Sequence, residues 1–352
     1  FHIMARDPRF EALYPAFDKF LQRCILDSES LLWPDERPWT LENVAALKAR
    51  ITQPLTLEGR PSFEDKLQKQ MEGASSEHWM IMCDVYYVYS LPSSFITFEK
   101  KTDYIQWAAR QAGLTPPSEN DEIWKPQTHG FTRTTLSYHH KYRQFLLILL
   151  FAEQVKSADA PESVVRNPDE MQRVLDQLLD GIANKSDRAY DMRHAMLYLA
   201  FPERYERIIS TRDKDRIIEE YGGQLDGPVP KDRDEALRRI RQVLSDKYDQ
   251  PDRPFDFYTE LKDEWRPGES PPEDGNGGDE EPAVVVGAGV RTVLRALGHT
   301  RNLILHGPPG GGKTYVANKA AKALVKPQTE KPLPQSAIRQ RVIEDLGTYE
   351  VL

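Results

Sequence analysis

The stretch WMIMCDVYYVYSL, residues 79–91, decides the fold class of the larger part of the chain. It is apolar on nearly every side, so whatever element it forms is buried all round. It reads as a central helix, although Val85-Tyr86-Tyr87-Val88 is rich in β-formers and leaves a strand open. Residues 142–155 have the same character and read as a second buried central helix.

Outward from these two runs, helical periodicity dominates. Phe10, Leu13, Phe17, Phe20, Leu21 and Ile25 fall at the three- and four-residue spacing of one amphipathic helix face. Thr40 reads as an N-cap, with Trp39 and Val44 placed to form a hydrophobic staple across it. Ser62 followed by Asp65 repeats the capping signature ahead of Phe63, Leu67 and Met71. Helices over 172–179, 192–199, 204–221 and 234–248 complete a series of about eight. Phe201-Pro202 reads as a helix break between packed helices, and residues 113–133 as a long loop. No repeat of fixed period occurs, which argues against a solenoid.

Composition bounds the function classes. The chain has 352 residues, with 39% hydrophobic, 29% charged and 10% aromatic side chains, which excludes wholesale disorder and predicts two or three domains. No run of about 18 uncharged apolar residues exists, so no membrane partner is expected. The longest apolar run, 145–152, is too short for a signal-peptide core. Two cysteines, Cys24 and Cys83, exclude a disulfide framework or a thiolate zinc site and fit a reducing cytoplasm. Both stand among apolar residues and read as buried structural thiols. Met4 is expected to be the natural start.

Residues 266–282 read RPGESPPEDGNGGDEEP, with four Pro, four Gly, six acids and no apolar side chain: a flexible, self-repelling linker. Charge divides there. Residues 283–352 carry ten Lys/Arg against four Asp/Glu, net +6, which leaves 37 against 51, net −14, for residues 1–282. So acidic a region is not a bulk electrostatic binder of nucleic acid. The expected organisation is a mostly α N-terminal domain over 1–265, for recognition or interaction, the linker over 266–282, and an incomplete α/β P-loop module over 283–352.

The last part carries the chemistry. Asn302-Leu303-Ile304-Leu305-His306 reads as a short buried strand. Gly307-Pro308-Pro309-Gly310-Gly311-Gly312-Lys313-Thr314 follows, then a helical run from Tyr315 to Leu324. This is G-x-x-x-x-G-K-[ST] in its strand–loop–helix setting. Triphosphate oxygens must meet several backbone N–H groups at once, and glycine lets the chain wrap that tightly. The helix N-terminus adds positive potential. Lys313, the expected catalytic residue, would reach the β- and γ-phosphates, and the Thr314 hydroxyl would ligate Mg²⁺. Splitting the nucleotide also needs a magnesium-holding acid at a strand end. Within 315–352 the segment 326–334 is Pro-rich, and 336–349 reads as one helix bearing Ile338, Val342 and Leu346. Val342-Ile343-Glu344-Asp345 has helical flanks and is rejected as that acid.

The run RNLILHGPPGGGKTYVANKAAKAL, residues 301–324, resembles the opening of the AAA+ ATPase domain in McrB-type motors, the nucleotide-driven subunits of modified-cytosine restriction systems. Gly311 departs from the Thr or Ser usual in that family but leaves the backbone cradle intact. MRHAMLYLAFPERYERIISTRDKDRIIEEYG (192–222) and RPFDFY (253–258) resemble the helical region found before many such motors. The resemblance implies ATP or GTP with Mg²⁺, held by Gly307 to Tyr315. It also implies a homo-oligomeric ring, usually a hexamer, and DNA and a nuclease as partners in restriction and defence. It places the Walker B acid, sensors and arginine finger beyond Leu352, so the sequence is read as a fragment. The alternative is a non-enzymatic helical adaptor with an inert, truncated P-loop.

Other charged groups read as structural. His139-His140-Lys141-Tyr142-Arg143 reads as a helix start with one wet face, since adjacent helical side chains diverge by about 100°. Arg204, Arg207, Arg212, Lys214 and Arg216 alternate with Glu203, Glu206, Asp213 and Asp215, which predicts a solvated, salt-bridged face. Arg238-Arg239-Arg241 has fewer acids nearby and ranks slightly above them as a phosphate contact. No G-x-S-x-G and no H-E-x-x-H occurs.

Overall fold

Residues 79–90 fold as helix, not strand. The computed structural model describes residues 5–55, 62–118, 121–134, 141–250 and 252–266. It is mostly helical, with no strand or sheet among the described residues; Ser93 and Thr132 form one isolated bridge. The chain divides into two units, Phe1–Ser270 and Pro271–Leu352, and every described residue belongs to the first. The linker beyond Arg266 and the whole α/β module lie outside the described residues.

The first core begins with a 3₁₀ turn, Pro8–Phe10, and helix α1, Leu13–Lys19, which runs directly into a π-helical segment, Phe20–Leu26. The expected single helix is thus split into three pieces. The wider π turn still keeps Phe20, Leu21, Cys24 and Ile25 buried. Helices α2 (Leu41–Ile51), α3 (Phe63–Gln70), α4 (Ser76–Ser90), α5 (Phe98–Gln111), α6 (Lys141–Lys156), α7 (Pro161–Arg166), α8 (Pro168–Gly181) and α9 (Tyr190–Ala200) complete it. A second hydrophobic cluster gathers Ile208 with α10 (Thr211–Tyr221), α11 (Arg233–Tyr248), the segment around Phe255 and Phe257, and α12 (Lys262–Trp265).

Helix α4 is the axis of the first core. Twelve consecutive residues, Trp79 to Ser90, are buried, with α2, α5 and α6 packed around them. Strand propensity spans only about 1 kcal/mol per residue. Each large side chain buried on an all-round helix is worth about 1.5–3 kcal/mol, which overrides it. The tyrosine hydroxyls find partners: Tyr87 donates to the Ile123 carbonyl at 2.6 Å and Tyr86 to Glu64 at 3.2 Å. Asp84 is the one carboxylate in this row. It accepts from Ser30 Oγ and Trp39 Nε1 at 2.8 Å and from the Leu31 and Leu32 amides at 3.2 Å, so it anchors the loop before α2.

The predicted caps form. Thr40 Oγ1 accepts from Asn43 N at 3.2 Å, with Trp39 and Val44 fully buried beside it. Ser62 and Asp65 make a reciprocal capping box. Helix α9 ends at Ala200, before Phe201-Pro202 as expected. The predicted helix over 204–221 is shorter: it starts at Thr211, capped by Ser210, because Pro202 breaks the chain and Tyr205, Ile208 and Ile209 are buried from a non-helical segment. The loop at 113–133 contains a 3₁₀ helix, Glu122–Thr128, that buries Trp124. Helices α5 and α7 have no counterpart in the sequence reading. The buried face of α5 includes Lys101 and Thr102, which blurs its apolar stripe, and α7 has six residues.

Candidate functional site

Gly307, Pro308, Pro309, Gly310, Gly311, Gly312, Lys313, Thr314 and Tyr315 all lie outside the described residues, as do His139 and His140. The chemistry that the described chain brings together is instead a set of buried charges, concentrated in the 192–222 and 253–258 stretches.

Asp234, in the first turn of α11, accepts from Arg193 Nη1 and Lys214 Nζ, and all three side chains are at most 5% exposed. Lys214 Nζ also lies 2.9 Å from His194 Nδ1, and Arg193 Nη1 lies 3.0 Å from the same atom. Both cations can only donate, so Nδ1 is the acceptor, its single lone pair shared between them, and the ring proton sits on Nε2, facing Thr211 Oγ1 at 3.2 Å. Burial, reinforced by Lys214 and Arg193, holds His194 well below the ordinary histidine range, and the ring is neutral. Burial alone would raise Asp234, but Lys214 and Arg193 override it and hold the carboxyl far below its usual value. Arg193 continues outward to Asp176 at 2.9 Å and 3.1 Å.

Two further pairs fasten the RPFDFY segment. Arg241 is bidentate on Glu206, with Nη2 at 2.8 Å from Oε2, and its guanidinium lies 4.1 Å from the Phe255 ring centre and 5.4 Å from that of Phe257. Asp256 accepts from Arg207 and, at 3.1 Å, from Arg9. Arg207 also donates to the Phe131 carbonyl, and its guanidinium lies 5.3 Å from the Tyr258 ring centre.

The solvated-face expectation therefore needs correction. Glu206, Asp213 and Lys214 are buried, as is Arg241 of the later basic group. Arg204 pairs with Asp169 at 2.9 Å, and Arg238 and Arg239 both pair with Glu235. Of the cations in that face, Arg204, Arg207 and Lys214 are each engaged by a carboxylate of the fold. A finer reading of spacing exposes the error: Lys214 precedes Ile217 and Tyr221 on one helical stripe, and Arg241 sits between Leu237, Ile240 and Leu244.

An open depression of about 370 Å³ lies at Asp176, Arg204, Asp232 and Glu235. Its polar groups engage each other, Gln172 with Asp232 at 2.7 Å for example. Among the described residues no group of three or more His, Cys, Asp or Glu is placed to hold a metal, and no helix is long and apolar enough to cross a membrane. Cys24 and Cys83 are buried free thiols, as expected, and burial pushes both well above the usual thiol range. Comparison with protein-family models, curated proteins and solved structures finds no match to this chain.

Proposed function

We propose that this chain is the nucleotide-binding subunit of an AAA+ motor of the McrB type, with Lys313 and Thr314 as its working side chains. One observation carries the reading: the P-loop signature over 307–314, set between an apolar strand-like run and a helical one. The loop amides would cradle the triphosphate, Lys313 would neutralise its β- and γ-oxygens, and Thr314 would contribute the protein's hydroxyl to Mg²⁺. In a ring of such subunits, binding and hydrolysis of ATP or GTP would drive work on DNA or on a partner nuclease. The helical unit serves as the recognition and coupling body. Its self-neutralised cations favour a protein contact over a phosphate backbone.

The test is calorimetric titration of the full chain with Mg-ATP and Mg-GTP, alongside Lys313→Ala. Saturable binding is expected for the unmodified chain and none for the variant, with the helical circular dichroism unchanged. At a hundredfold excess over Kd, binding should stabilise the nucleotide-binding unit by about 2.7 kcal/mol. A chain that binds neither nucleotide, or a variant that binds as tightly, would favour the adaptor reading instead.

A further inference from the structure

We infer that the cavity beside Arg241 is a binding site for one resident water molecule. The cavity measures about 10 Å³, and its wall includes Asp7, Glu206, Arg207, Arg241, Phe255 and Asp256. Arg241 is 2% exposed, and its Nη1 has no hydrogen-bond partner in the protein, although Nε and Nη2 are both taken by Glu206. A buried N–H without an acceptor costs on the order of a lost hydrogen bond, and it is normally met by protein or by ordered water.

Size and charge select the ligand. The volume matches that of a single water probe. An anion would answer Nη1 equally well, but the three carboxylates of the wall, Asp7, Glu206 and Asp256, are already matched by Arg9, Arg207 and Arg241. A negative guest would bring an unpaired charge into the buried site, whereas water brings none. Water accepts from Nη1 and returns its own protons to carboxylate oxygens that retain free lone pairs. The site stands where four parts of the chain meet: residues 5–7, residues 206–208, α11 and residues 254–257. The water is a fourth tie, beside the Arg241–Glu206, Arg207–Asp256 and Arg9–Asp256 pairs, holding the RPFDFY segment to the helical body.

Two measurements on the full chain test this. A crystal structure that resolves ordered solvent should show one peak about 3 Å from Arg241 Nη1. Crystals of Arg241→Lys, which retains the charge on Glu206 but has no Nη1, should lack it. In solution, the Arg241 guanidinium protons should show cross-relaxation with a long-lived water that the lysine variant abolishes. An empty cavity, an Nη1 turned onto a protein acceptor, or anomalous signal at the site after a bromide soak would each overturn the assignment.

Discussion

Replacing Asp234 by alanine removes the carboxylate shared by Arg193 and Lys214. The structure sets the magnitude. Arg193 keeps a second acid, Asp176, at 2.9 Å. Lys214, 1% exposed, is left with only the neutral ring of His194 as acceptor. Breaking one side of a buried ion pair costs about 3–5 kcal/mol, because the stranded charge stays out of water. The same loss reaches unmodified protein as acid. Asp234 has its folded-state value depressed, so its contribution is complete above the ordinary carboxyl value and declines as pH falls toward the folded one. Adding Lys214→Met removes the stranded ammonium, so the double variant should recover part of the loss. The coupling energy should then be at least about 1.5 kcal/mol. Urea denaturation of the full chain at neutral pH, followed by far-UV circular dichroism, measures all corners of the cycle, with Asp234→Asn as the milder substitution should alanine prevent folding. Added salt should change the coupling little, since buried pairs are poorly screened. A loss below about 1 kcal/mol, or strict additivity, would refute the view that this cluster fastens α9, α10 and α11 together.

Two further outcomes follow from the first core. Burial pushes Asp84 up to about 6 despite its four good donors, so the stability of its protonated form is lost as pH rises from about 4 through 6. Relative to Asp84→Asn, the unmodified chain should therefore weaken by roughly 3 kcal/mol across that window in urea titrations; a pH-independent difference between the two would contradict this. Gly130 lies so close to the Ser93–Ser94 backbone that an added Cβ would stand 2.1 Å from the Ser93 carbonyl carbon. Gly130→Ala should cost about 1–3 kcal/mol and weaken the Ser94 N to Thr132 O bond of 2.9 Å, visible as faster exchange of the Ser94 amide; unchanged stability and exchange would show that this contact relaxes freely.

What local chemistry dictates was legible. Thr40 and Ser62 satisfy orphan amides at helix starts wherever such helices form, so their caps follow from three-residue spacing alone. The two all-apolar runs had to be interior, and Cys24 and Cys83 had to lie with them. Less of α5 was visible, because part of its buried face is Lys101, whose amine reaches the His129 carbonyl at 3.1 Å. The P-loop signature over 307–314, with its glycines, lysine and hydroxyl in fixed order, is a feature of the sequence, and its residues lie outside those the structure describes.

Taken alone, then, the amino-acid order indicated most of the helical runs and where several of them begin, and it carries the P-loop signature over residues 307–314. Only the tertiary structure decided which charges are inside. Glu206, Lys214, Asp234 and Arg241 look like solvent-facing residues of polar helices, and each becomes interior because a partner of opposite sign arrives from another element: α9 and α10 for Asp234, and the segment before α10 for Arg241. An isolated charge is too costly to bury, whereas a paired one is tolerated, and pairing between groups tens of residues apart is a property of the folded arrangement.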